Sequence, residues 1–427
     1  MSALRFCMIT TFYPPHSFGG DGVAVQALAR GLVARGHQVS VIYDADAYLA
    51  LGGTTPALAP RAEPAQPDGV TVHALRSRAG ALSLLLTQQI GRPVVNGRVI
   101  ARLVEQGRYD VVHFHNVSLV GGPGVLSAGR AAGAVTLYTA HEHWLVCPTH
   151  VLWRHNREPC DKRECVRCQL AYHRPPQLWR HGGLLGRALH SVDAFIAMSE
   201  FSRAKHHEFG FPREMTVIPG FLPDEDMGTA AEPASPWPRP YFLFAGRLER
   251  MKGLDDVIPM FAQYPDADLV IAGDGTHRAG LERIAAGNTR VHFLGRLAPP
   301  VLARYYRHAI ALLVPSTGFE TFGLVAIEAF RARTPVIARR IGPLPELIEQ
   351  SGGGLLFDEA SELPALLGAV QHDAARRAAL AGAARAAFEA RWSEAAVLDR
   401  YLELVASVAR AKERAPVPRA PTPRKAS

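Results

Sequence analysis

Short apolar runs alternate along this chain with segments whose apolar residues recur every three or four positions. In the first half the runs at 4–10, 39–43, 111–115, 136–139, 192–198 and 217–219 read as buried strands. Between the first two, Val25, Leu28, Ala29 and Leu32 fall on one helical face, and Gly36 closes the helix. Further helices are predicted over 82–90 and 94–104. The alternation resumes at 241–245, 269–272, 291–295, 309–314, 335–338 and 352–357. Helical patterns start at Leu254 and Leu324, place Leu302, Tyr305 and Tyr306 on one face, and return over 363–370, 376–388 and 392–410. Strands alternating with helices predict β-α-β units, and hence parallel sheets in an α/β protein.

The pattern breaks once in the middle. Residues 222–240 carry five prolines with acidic residues, glycine and alanine, a linker composition. This divides the chain into a domain over 1–221, a linker over 222–240, a second domain over 241–390 and a closing amphipathic helix over 391–410. Residues 411–427, rich in Pro, Ala and Arg, read as a disordered basic tail. Residues 51–69 read as a long loop. A length of 427 residues agrees with two domains, and 48% apolar with 20% charged residues is ordinary for a globular protein. The sequence has no run of 18 apolar residues, and residues 1–15 lack a basic region followed by an apolar stretch, so a cytoplasmic protein is expected.

Charge narrows the choice of partner. The net charge of +8 is concentrated in 150–187, with eight Lys/Arg against three acidic residues, and in 410–427, with six against one. Localised cations suit phosphate groups or an anionic lipid surface better than uniform nucleic-acid binding. The expectation is peripheral contact with the cytoplasmic face of a membrane, released by salt.

The candidate chemistry centres on residues 315–329. There a strand leads through a loop into a helix, with Glu320 in the loop and Glu328 in the helix. The first amides of a helix have no intrahelical partner and sit at its positive end, so Gly323 and Leu324 are candidate phosphate donors. Carboxylates on either side suit hydroxyls of a sugar or ribose. Gly246, Arg247 and Lys252 follow the strand at 241–245 and bring a planar fork and a point charge to the same edge. In the first half, Gly19 and Gly20 open a loop that is neither G-x-G-x-x-G nor a Walker A motif, and His141 stands just past a strand's C-terminal end, where open parallel sheets bind ligands. Cys147, Cys160, Cys165 and Cys168 include one C-x-x-C pair. Their spacing is compatible with a structural zinc site and equally with free or redox-active thiols. The pairs Asp44/Asp46 and Asp266/Asp268 read as chance.

These residues resemble a known group. Glu320 to Glu328 is similar to the E-x7-E motif of the retaining glycosyltransferases of family 4, which have the GT-B fold. The resemblance extends over residues 4–410 through Gly19-Gly20, the Thr-Ala-His-Glu-His-Trp segment, Gly246-Arg247-Leu248, Lys252-Gly253 and Gly273-Asp274-Gly275. The chain departs from the family at Pro219-Gly220-Phe221 and Gly342-Pro343, where Pro-Asn-Gly and Gly-Gly are common. The resemblance implies two Rossmann-like, doubly wound domains facing an interdomain cleft. It implies a UDP- or GDP-linked sugar as donor and a lipid-linked or polysaccharide acceptor, as in cell-surface glycan biosynthesis. Arg247 and Lys252 would neutralise the leaving diphosphate, Gly323 and Leu324 would add backbone donors, Glu320 would hold sugar hydroxyls and Glu328 the ribose. His141 would approach the sugar, with Gly20 near the diphosphate or acceptor. Catalysis would retain the anomeric configuration and need no metal cofactor. Two other classes remain: a nucleotide-sugar epimerase on the same fold, and a four-cysteine nucleic-acid-binding module.

Overall fold

The computed structural model describes residues 3–52, 69–224 and 234–414. Most of the expected loop at 51–69, the centre of the 222–240 linker and residues 415–427 of the tail lie outside them. Among the described residues the first domain has a seven-stranded parallel sheet. Its strands are β1 (Arg5–Thr10), β2 (Gln38–Asp44), β3 (Val70–Leu75), β4 (Val111–Phe114), β5 (Val135–Ala140), β6 (Ala194–Ala197) and β7 (Met215–Val217), in the order β3-β2-β1-β4-β5-β6-β7. The second domain repeats the plan with β8 (Tyr241–Ala245), β9 (Asp268–Ala272), β10 (Val291–Gly295), β11 (Leu312–Val314), β12 (Val336–Arg339) and β13 (Gly354–Phe357), in the order β10-β9-β8-β11-β12-β13. Central strands such as β8 and β9 are buried along their whole length, as expected for a sheet covered on both faces by helices. Each sheet separates two apolar clusters.

Five helices matter for the site: α1 (Gly20–Ala34), α2 (Glu200–Glu208), α3 (Leu324–Arg331), α4 (Leu344–Ser351) and α5 (Glu394–Arg414). Ser199 caps α2, its Oγ accepting from the Ser202 amide at 3.0 Å. Helix α5 follows the second domain yet packs Val397, Leu398, Tyr401, Leu402 and Val405 into the first domain's core, so the two lobes share one closing element. It runs four residues past the predicted end, and Lys412 ties it to the Ala134 carbonyl at 2.5 Å and to Asp193 at 3.1 Å.

Several local predictions shift for identifiable reasons. The helix expected from 94 starts at Gly97. The helix from Leu254 lasts one turn, Leu254–Val257, before the 3-10 segment Ile258–Ala262, where Pro259 lacks the N–H an α-helix needs. Gly122–Leu126 forms a 3-10 helix. Strand β3 escaped prediction because it is an edge strand whose exposed Thr71 interrupts the apolar pattern. The aspartate pairs bind backbone and side chains of their own neighbourhood: Asp44 accepts from the Ala47 amide, Asp46 from the Ser77 amide, and Asp268 from Trp237 and Arg239.

Candidate active site

In each sheet the strand order reverses at one point, between β1 and β4 and between β8 and β11. Loops leaving the C-terminal ends of strands on either side of such a switch part to leave a crevice. In the second domain those loops are 246–253 and 315–323, which carry most of the residues singled out above. They are locked against each other. Thr317 donates its amide to the Met251 carbonyl at 2.9 Å, and Gly253, at φ +71°, lies so close that a Cβ would stand 2.1 Å from the Pro315 oxygen. Only glycine permits both that backbone conformation and that approach.

The approach brings Lys252 to Glu320, with Nζ donating to Oε1 at 2.7 Å. Ser316 Oγ donates to the same carboxylate oxygen at 3.0 Å. Burial alone would raise the Glu320 pKa; the charge and hydrogen bond of Lys252, the Ser316 hydroxyl and the charge of Arg247 outweigh it and hold the group below the usual carboxylate range. Glu320 is therefore an anion at neutral pH. Arg247 is exposed and also acts electrostatically on Asp21 of the first domain. Asp21 is raised by burial and by the charge of Glu142, against hydrogen bonds from the Gly22 amide and Asn116. Glu328, one turn into α3, accepts from the Tyr306 hydroxyl at 2.7 Å and is raised by burial.

Both helices that face the crevice begin at glycines. Gly19 precedes α1 and Gly20 is its first residue; Gly323, at φ +98°, precedes α3 and Leu324 is its first. The two N-termini meet: a Cβ on Gly20 would lie 3.1 Å from Leu324 Cδ2. Their positive ends, with Arg247 and Lys252, give the crevice an anion-attracting lining.

His141 comes in from the end of β5. Its carbonyl accepts from Thr321 Oγ1 of the second domain at 2.7 Å, and Ser199 Oγ donates to the Thr321 carbonyl at 2.7 Å. The amides of Glu200 and Phe201, at the start of α2, donate to the Glu346 carboxylate across the domain boundary at 3.2 and 3.3 Å. Behind His141 stands a buried imidazole row. His141 Nε2 meets His115 Nδ1 at 2.9 Å, the His115 ring lies 4.0 Å from that of His113, and His113 bonds Thr139 at 2.8 Å and Tyr401 of α5 at 3.0 Å. Burial lowers the His141 pKa to about 4, against a rise from Glu142, and lowers His113 to about 3.

The structure thus gathers Arg247, Lys252, Glu320, Gly246, Gly323 and Leu324 with Gly20 and His141 around one crevice. The four cysteines surround a small cavity of their own. Sequence reasoning missed Ser316, Thr321, Asp21 and His115. Ser316 and Thr321 were within the highlighted stretch, but the partners that give Thr321, Asp21 and His115 their roles lie 26 or more positions away.

Two facing parallel-sheet lobes that enclose such a crevice define the class: a glycosyltransferase of GT-B type. The chain belongs to glycosyltransferase family 4. The model for Glycosyltransferase Family 4 matches residues 18–226, and that for Glycosyl transferases group 1 matches 230–386. D-inositol 3-phosphate glycosyltransferase 1 of Catenulispora acidiphila is 30% identical over 91% of this chain and 91% of its own length. Among solved structures, sucrose-phosphate synthase from Thermosynechococcus elongatus superposes with a TM-score of 0.70 at 21% identity, over 96% of this chain and 100% of that one. Anabaena HepE in complex with UDP and glucose does so with a TM-score of 0.64 at 18% identity, over 95% and 100%.

Proposed function

We propose that this glycosyltransferase moves a hexose from a UDP- or GDP-linked sugar to a lipid-linked or polysaccharide acceptor, with retention of anomeric configuration, in cell-surface glycan biosynthesis. The observation that carries the reading is the half-buried Lys252–Glu320 pair beside Arg247 and the Leu324 helix start. A cation held by a carboxylate in the free protein is placed to exchange it for a diphosphate oxygen. Glu320 is then released to accept hydrogen bonds from donor-sugar hydroxyls, and Glu328 from the ribose.

In the reaction the bond from C1 of the sugar to the β-phosphate oxygen breaks, and its electron pair goes to the phosphate. Arg247, Lys252 and the helix amides stabilise that charge as it develops, the role a divalent ion plays elsewhere, so the chain's own cations suffice. The acceptor hydroxyl attacks C1 on the face the phosphate leaves, and its proton passes to the departing phosphate oxygen. A neutral His141 fits a hydrogen bond to a sugar hydroxyl near the reacting carbon. HepE, whose fold this chain shares, was solved with UDP and glucose, which favours a uridine nucleotide as the first donor to try. The charged segment at 150–187 supports a membrane-bound acceptor.

The test is a panel of UDP- and GDP-sugars scored for nucleotide release and for a donor-induced rise in melting temperature. One sugar should stand out in both assays, and NMR of the product should give the donor's anomeric configuration. Inversion, or release that no acceptor stimulates, would remove the reading.

A further inference from the structure

Between β5 and β6 the chain builds a small module that the glycosyl-transfer reading does not use. It contains a hairpin, Trp153–Arg154 paired with Glu158–Pro159, and a short helix, Cys165–Ala171. Cys147 precedes the hairpin, Cys160 follows it, and Cys165 and Cys168 occupy successive turns of one helix face. These four cysteines line one cavity of about 20 Å³, room for a single small occupant. The backbone around it is held in an unusual way: His150, Leu152, His155 and Asn156 all have positive φ without being glycine.

We propose that this cavity is a structural zinc site with Cys147, Cys160, Cys165 and Cys168 as its four ligands. Four thiols from two loops and a helix turn, drawn onto one ion, would give a closed all-sulfur set, which suits zinc and leaves no position for substrate. The thiols now make local bonds: Cys147 to Thr149 Oγ1 at 3.2 Å, Cys160 to the Lys162 carbonyl at 3.3 Å, and Cys168 to the Trp153 carbonyl at 3.9 Å. In this state no three ligating side chains among the described residues already surround one ion position. Binding exchanges those bonds for four Zn–S bonds and releases four protons to solvent. The His155 amide donates to Cys168 Sγ at 3.4 Å, the kind of hydrogen bond that orients a ligating thiolate. A zinc ion with four thiolates carries two negative charges. Arg163 and Arg180 act electrostatically on the cysteines and offset part of that charge, whereas Arg154 and Lys162, which line the cavity with Glu164, are paired with Glu158, Asp161 and Glu164.

The module also touches the donor lobe. Phe319, the residue before Glu320, packs against the cluster of Cys147, Leu152 and Phe209, as does Cys160, and a Cβ on Gly318 would lie 3.3 Å from the Trp153 ring. A metal that fixes the module therefore fixes one wall of the crevice.

The test is metal content, and it does not depend on any sugar or acceptor. Protein purified without chelator should contain about one zinc per chain by elemental analysis, and Cys160→Ser or Cys165→Ser should hold less than about a tenth of that. Cys7→Ser, whose thiol lies in the β1 core, should keep its zinc. Should the serine variants prove insoluble, cobalt-substituted wild-type protein is the second measurement. It should show intense sulfur-to-cobalt charge transfer and tetrahedral d–d bands. A chain without metal, with iron instead, with disulfides by non-reducing mass spectrometry, or with an octahedral cobalt spectrum overturns the proposal.

Discussion

Glu328 is half-buried, and the hydroxyl of Tyr306 donates to its carboxylate. Removing it leaves the acceptor unpaired. Tyr306→Phe should therefore cost about 1–3 kcal/mol in urea unfolding, well beyond a hydroxyl's usual net worth. Unchanged stability would mean that water or Arg331 already satisfies the carboxylate. Lys252 and Glu320 are a different case, because their pairing joins residues 68 positions apart. The charged members of the site were legible in the sequence because they sit at strand ends and helix starts, positions that local pattern fixes. Ser316 hides among ordinary loop residues, and Thr321 has meaning only through His141, 180 positions earlier. Gly220, noted as a departure from the family, faces Phe322: a Cβ there would lie 3.0 Å from its ring. That contact accounts for a glycine without reference to donor choice.

Among elements, the loops that follow β8 and β11 do most to build the crevice. Gly253 lets one loop rest on the other, and Gly253→Ala should force them apart, since the added carbon meets the Pro315 oxygen in a left-handed backbone. The expected result is a loss of more than about 1 kcal/mol in stability together with a weakened donor-induced melting shift. A variant with the wild-type shift would show that the Lys252 loop is positioned by something else. Strands and long helices were readable from periodicity. The cysteine module was not, because a hairpin of two-residue strands carries no periodic signal, and its fold is visible only through the pairing of Trp153 with Pro159.

At the scale of the molecule, α5 joins the two lobes, and its Tyr401 reaches the imidazole row that ends at His141. That row makes the fold sensitive to acid. Burial holds His113, His141 and His206 near 3, 4 and 4 and lowers His115 and His143 well below the ordinary 6.5. With folded pKa values depressed, the stability these neutral rings contribute is fully present above pH 6.5 and is lost as pH falls toward 4. Asp44, raised to about 6 by burial, and the raised Asp21 and Glu328 act in the opposite sense, but they are fewer. The melting temperature should fall steadily from pH 6.5 to 5; a flat or rising profile would show that the rings are protonated in the folded state. The two-lobed plan was legible because the strand-helix alternation stops and restarts around a proline-rich segment. The contact between lobes was not, since Thr321 with His141 and Glu346 with the start of α2 join residues that no local pattern relates.

The grip on a diphosphate is tested most directly by calorimetric titration of UDP, GDP and their parent nucleosides into wild-type protein, Arg247→Ala and Lys252→Ala. One diphosphate should bind wild type with an affinity that falls as salt rises. Each variant should lose about tenfold or more of that affinity, while nucleoside binding stays the same, because only the charge-assisted contacts are gone. Equal diphosphate affinity in wild type and both variants would contradict the account.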